Sequence, residues 1–173
     1  MNRSVLVAAL LMSTPVLAQE TNLEGIYGGI AGGGALLIVP GDSTFGYDAE
    51  LRVGYSFGPL LQVFLSGALD GGKFSGRSFR TEQIVAFIQY HLFVKPAVMV
   101  YGRAGIGAGL SGDVVPGATA AGLAEAAGFG VEIRVAPNLF LAPEVFYRNA
   151  NLSAQGTDRH VQIVGLQLGL VYY

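Results

Sequence analysis

The feature that most constrains this chain is a period of two in its hydrophobicity, repeated in eight stretches separated by turn signals. The final stretch shows it best. From Val164 onward, Val164, Leu166, Leu168, Leu170 and Tyr172 share one parity, while Gly165, Gln167 and Gly169 share the other. Successive side chains of a strand point to opposite faces, so one face here is apolar throughout and ends on an aromatic ring. An edge this apolar would recruit other chains, so the segment is expected to close a sheet rather than border one.

Composition says what such a sheet must face. Charged residues make up 13% of the chain and hydrophobic residues 51%, whereas a soluble domain devotes about 25–35% of its surface to charge. Yet the sequence past residue 18 has no apolar run approaching the ~20 residues of a spanning helix. The best candidate, 97–112, is interrupted by Arg103, Ser111 and its glycines. Lipid accepts only structures that satisfy their own backbone, so with helices excluded the closed barrel remains.

The start of the chain reads differently. Asn2 and Arg3 precede an apolar run from Val5 to Leu11, and Val16-Leu17-Ala18 offers small and apolar residues ahead of Gln19-Glu20. Residues 1–18 are expected to be a signal peptide cut after Ala18, leaving 19–173 as one barrel domain. Cleavage would remove Arg3 and leave 9 basic against 12 acidic residues, which gives no footprint for nucleic acid. The absence of cysteine excludes disulfides and thiolate metal sites.

The eight expected strands are 24–37, 44–57, 60–70, 79–92, 98–111, 118–135, 139–149 and 161–173. The second alternates most cleanly after the last, with Tyr47, Ala49, Leu51, Val53, Tyr55 and Phe57 opposite Asp48, Glu50, Arg52, Gly54 and Ser56. In the sixth, the alanines of 118–127 suit a helix as well as a strand, and the alternation from Gly128 to Val135 favours the strand. Gly58-Pro59, Val94-Lys95-Pro96 and Ala136-Pro137-Asn138 read as tight turns. The other connections, 40–43, 71–78, 112–119 and 150–158, read as longer polar loops. Short turns at one end and longer loops at the other are the pattern of outer-membrane barrels.

Energetics decide which face points out. Asp48, Glu50, Arg52, Arg103, Glu132, Arg134, Glu144 and Arg148 ride the polar faces. A basic residue facing lipid near the midplane would cost about 2–4 kcal/mol, and a few of them would consume the roughly 5–15 kcal/mol by which proteins are stable. The eight charges are therefore expected inside, four acidic against four basic, as a network that plugs the lumen. A gated small conductance, in which an arginine switches partner, is the functional alternative. The inverse arrangement, a soluble lipocalin-like barrel, would leave too few charges to wet its outer wall, and the chain has no tryptophan for the lipocalin motif. Tyr27, Tyr47, Tyr55, Phe57, Tyr90, Phe93 and Tyr172 are expected in the interfacial aromatic belts.

With its eight alternating stretches, leader-like start and closing aromatic strand, the chain resembles the small eight-stranded bacterial outer-membrane β-barrels. These are typified by the transmembrane domain of outer membrane protein A and by related surface-antigen barrels. The resemblance implies an eight-stranded antiparallel up-and-down transmembrane β-barrel in the outer membrane of a Gram-negative cell, with both termini in the periplasm. It implies as partners outer-membrane lipid and lipopolysaccharide, and the assembly machinery acting on the C-terminal strand. In that family the closing series usually ends on the last residue, whereas here it ends on Tyr172 and Tyr173 has the opposite parity. With nothing beyond Tyr173, no peptidoglycan-binding domain is expected. A barrel of eight strands is narrow enough for side chains to fill, so an open pore is not expected.

Candidate chemistry is sparse. Gly107-Ala108-Gly109-Leu110-Ser111-Gly112 fits G-x-G-x-x-G, but Asp113-Val114-Val115-Pro116 stands where a helix should begin. His91 and His160, at opposite ends of the barrel, make no metal site. No cofactor, no metal and no catalytic residue is expected. The resemblance leaves one enzymatic alternative, because some such barrels trim or acylate lipid A. That chemistry needs an activated nucleophile on the outer wall; Ser153 and Asp158 lie near His160 in sequence, with no spacing that aligns them. The expected role is structural or interactive, residing in the outer loops.

Overall fold

The computed structural model describes residues 23–74, 77–115 and 118–173. The expected signal peptide, 1–18, lies outside the described residues. The chain forms β1 (Glu24–Val39), β2 (Asp42–Phe57), β3 (Leu61–Phe74), β4 (Arg77–Lys95), β5 (Val98–Val115), β6 (Ala118–Ala136), β7 (Leu139–Ala154) and β8 (Thr157–Tyr172). Each strand pairs antiparallel with its sequence neighbour, and β8 pairs with β1 to close the barrel. The alanine-rich part of β6 is strand, paired residue by residue with β5.

Register sets the shape. Paired residues run from Gly28 to Val53, Leu65, Ala86, Ile106, Glu125, Asn149 and Gln162, and the line returns to β1 at Ile38 instead of Gly28. That stagger of ten residues (38 less 28), with ordinary strand spacings, tilts the strands about 40° from the axis. The interior is then a narrow column that side chains fill.

The three expected tight turns are present, and the expected longer loops differ. Among the described residues the connections at 40–41, 58–60, 96–97, 137–138 and 155–156 each span two or three residues. The supposed outer loops are largely continued strand: Asp158 pairs with Ser153, Thr157 with Ala154, and Arg77 with Phe74. These extensions rise past the apolar belt: their outward residues, among them Asn151, Ser153 and Asp158, are polar, and Phe79, Leu152 and Ala154 turn inward, so the apolar outer face that marks the rest of each strand stops short of them. At 155–156 the turn needs two residues of positive φ, Gln155 (50°) and Gly156 (76°), as a tight hairpin requires.

The outer wall is apolar, as the charge argument demands. Phe45, Leu51, Ile84, Ile106, Leu166 and Leu170 all point outward and are exposed. Tyr47, Tyr55, Phe57, Tyr90, Phe93 and Tyr172 are exposed on the same wall. Phe93 reaches it through a bulge, a register shift between His91 and Phe93 that turns Leu92 and Phe93 both outward. Tyr27 is a correction: it is 2% exposed and lies inside the lumen. Its parity on β1 is that of Leu37, not of Ile26 and Ile30, and glycines on both faces of β1 hide this in the sequence.

Candidate functional site

The lumen has three zones. At the end carrying the termini, Leu23, Tyr27, Phe64, Phe87, Met99, Phe140 and Val171 form an apolar cluster against which Tyr173 packs. At the far end, Leu37, Phe79, Phe146, Leu152, Val161 and Ile163 form another. Between them lies a charged waist.

Glu50 on β2 is the centre of that waist. Arg103 grips it with two parallel bonds, Nη1 to Oε1 at 2.6 Å and Nη2 to Oε2 at 2.8 Å, and Arg148 Nη2 donates to Oε2 at 2.7 Å. Arg52 Nε lies 3.3 Å from Oε1. Glu144 on β7 takes Arg103 Nε at 2.9 Å and the Tyr101 hydroxyl at 2.6 Å. Gln167 donates to both glutamates, at 3.2 and 3.0 Å. Arg148 Nη1 bridges Asp48 and Asp70 at 2.5 and 2.8 Å. Fork-shaped donors on planar acceptors are the strong form of ion pair, and here every member is buried.

The waist is joined to both apolar clusters through guanidinium faces. Arg103 stands 4.6 Å from the Phe87 ring and Arg148 4.2 Å from the Phe146 ring, within reach of cation–π attraction. Room for the ions comes from glycine. A Cβ on Gly128 would sit 2.5 Å from Glu144 Oε1 and 2.9 Å from Arg103 Nε, and one on Gly130 would meet the Tyr101 ring at 2.6 Å.

Three expectations about the interior charges need correction. Arg134 is outside the waist: it sits near the termini over the Phe140 ring at 5.4 Å, half-buried. Glu132 is inside the lumen but belongs to a separate group. It accepts from Gln89 at 3.1 Å and the Tyr173 hydroxyl at 2.7 Å, and faces His91 Nε2 at 3.2 Å. Tyr173 also accepts from Gln62 at 2.6 Å and stacks on Tyr27 at 5.3 Å. The opposite parity of Tyr173 is thus what turns it into the lumen.

The third correction is Asp70, which the sequence reading took for the end of a strand. It is fully buried, and its parity continues Gln62, Phe64 and Ser66, a signal that was present. With it the waist holds four carboxylates (Asp48, Glu50, Asp70, Glu144) against three guanidiniums (Arg52, Arg103, Arg148), not an even balance.

The outer wall holds a second polar group, towards the far end of β6, β7 and β8. Ser153 pairs with Asp158, Asn151 with His160, Asn149 with Gln162, and Glu125 with Asn149. Strand pairing therefore brings Ser153, Asp158 and His160 together although their spacing gave no hint of it. His160 Nδ1 lies 2.6 Å from Asn151 Oδ1 and its Nε2 lies 2.9 Å from the Gln162 amide nitrogen. Both ring nitrogens are therefore engaged by neighbouring amide side chains. No hydrogen bond joins Ser153 to His160 among the described residues. The two histidines stand at opposite ends of the barrel.

No protein-family model matches the sequence, and no curated protein matches it. Solved structures do. Neisserial surface protein A is similar with a TM-score of 0.75 at 18% identity, over 86% of this chain and 96% of that one. Ail, the attachment invasion locus protein of Yersinia pestis, gives 0.53 at 19% identity over 86% and 99%. The outer membrane enzyme PagL gives 0.55 at 14% over 83% and 97%. At these identities the likeness establishes the fold, a small eight-stranded transmembrane β-barrel.

Proposed function

We propose that this chain is an outer-membrane protein whose barrel is a closed structural and surface-interaction element, not a conduit and not an enzyme. Both termini lie in the periplasm, and the far ends of the strands face the exterior. One observation carries the reading: the ionic waist of the lumen lies between two apolar clusters. An ion crossing would have to shed water at each cluster and displace partners held at 2.5–2.9 Å in between. Membrane lipid surrounds the apolar wall, and the assembly machinery acts on β8. The signal peptide, 1–18, directs export.

Planar-bilayer recording tests this. The barrel gives no discrete conductance steps, and proteoliposomes holding it do not swell in sugar solutions; regular steps from the unaltered chain would defeat the reading. A band that migrates faster unboiled than boiled, from membranes washed with carbonate, checks the closed sheet and its insertion.

The enzymatic alternative has one observation in its favour, the meeting of Ser153, Asp158 and His160 on the outer wall. Against it, both nitrogens of His160 are engaged by amides, so no base is presented to the serine. Incubation with lipid A followed by mass spectrometry leaves the acyl chains intact on this account.

A further inference from the structure

The polar group on the outer wall and a groove beside it lie on the same strands. The groove is apolar, about 540 Å³, and is lined by Gly32, Val131, Pro143, Val145, Leu166 and Leu168 among others. It is hollow for two local reasons: Gly32 presents no side chain, and Pro143 has no backbone N–H to complete the ladder to β6. On β8, the outward apolar series from Tyr172 to Val164 covers eight residue steps, which at a 40° tilt is a height of ~20 Å. An outer-membrane barrel meets hydrocarbon over about 25 Å. The groove therefore sits at acyl-chain depth, and Gln162 and His160 stand at the head-group boundary directly above it.

The chemistry of that boundary is selective. Glu125 and Asp158 are carboxylates, Asn149, Asn151 and Gln162 are amides, and Ser153 and His160 add further polar atoms. Of the arginines of these strands, Arg148 is buried in the lumen and Arg134 half-buried, while Arg159 has the inward parity and is exposed at the rim beside the 155–156 turn. The outward-facing residues thus offer carboxylates and amides, which disfavour phosphate and suit hydroxyl groups, each of which both donates and accepts. Away from these strands, β1 and β2 carry apolar or aromatic side chains to a similar height, with Ile38, Phe45 and Tyr47.

We propose that β6–β8 form a binding site for one glycolipid of the outer leaflet, its acyl chain in the groove and its sugar hydroxyls on Asn151, His160 and Gln162. This rests on the outer-membrane reading above and names a partner for it. The site selects sugar over phosphate, because its outward-facing charges, Glu125 and Asp158, are acidic and its donors are amides.

The test reconstitutes the full barrel in phosphatidylcholine nanodiscs containing either a monoglucosyl diacylglycerol or phosphatidylglycerol, and reads retained lipid by native mass spectrometry after transfer to detergent. The glucosyl lipid stays as a one-to-one adduct and phosphatidylglycerol does not. Asn151→Ala with Gln162→Ala lowers the adduct about tenfold, the loss expected for two hydrogen bonds of modest strength. Gly32→Leu, where a Cβ has ordinary room with Asp48 O at 3.5 Å, lowers it by filling the groove. Equal retention of both lipids, retention of neither, an undiminished adduct in either variant, or a two-barrel species in place of the adduct would each overturn the site. Unboiled migration and carbonate resistance stay unchanged in every variant, so failure of the site is distinguishable from failure of the outer-membrane reading.

Discussion

The waist of the lumen and its two ends solve the same problem in opposite ways. Both must fill a column of fixed radius without water. The ends do it mainly with aromatic and aliphatic volume, joined near the termini by the Glu132 group; the waist does it with three guanidiniums and four carboxylates whose partners are all other side chains. Apolar packing tolerates an imperfect neighbour at graded cost, whereas a buried ion that loses its partner is left with its full desolvation penalty. The middle of this barrel should therefore be specific and brittle, and its ends tolerant.

Four substitutions press on that contrast, with stability read from the urea midpoint of the unboiled gel shift. Arg103→Ala removes the two bonds to Glu50 and the contacts to Glu144, and should cost about 3–5 kcal/mol. Phe146→Ala takes the ring from under Arg148 and opens the far cluster. It should cost about 3 kcal/mol, towards the low end of phenylalanine truncations, because alanine-rich surroundings can relax. Tyr173→Phe removes one hydroxyl that both donates to Glu132 and accepts from Gln62 while leaving the ring stack on Tyr27; about 1–2 kcal/mol is expected. Asp70→Asn keeps the shape and removes the surplus negative charge of the waist, so it should cost no more than about 1 kcal/mol. If Asp70→Asn proves as damaging as Arg103→Ala, the waist is not the over-acidic cluster described.

How much of this was legible in the sequence follows the same divide. The strand count, the closure and the inward turn of Asp48, Glu50, Arg52, Arg103, Glu144 and Arg148 could be read because lipid makes parity costly to violate. Where lipid exerts no such pressure, the reading failed. The strand ends beyond the belt lose the apolar outer face and passed for loops; Tyr27 lies on a glycine-rich strand whose faces hardly differ; Asp70 stands next to Gly71 and was placed at the end of its strand. The meeting of His160 with Asn151 needed the register of a two-residue turn at 155–156, which no composition rule supplies. The departure of Tyr173 from the alternating series was visible, but its purpose depends on Gln62, Tyr27 and Glu132 from three other strands.

The dryness of the waist is the claim on which the rest depends, and the lack of native cysteine makes it directly measurable. Ser66 lies in the waist, 2% exposed, and Gln155 lies at an exterior turn. In proteoliposomes, Gln155→Cys should react at once with a charged, membrane-impermeant maleimide, and Ser66→Cys should stay unlabelled until the barrel is unfolded. Labelling of Ser66→Cys in the folded barrel at a rate near that of Gln155→Cys would mean a water path through the lumen, and would contradict the account.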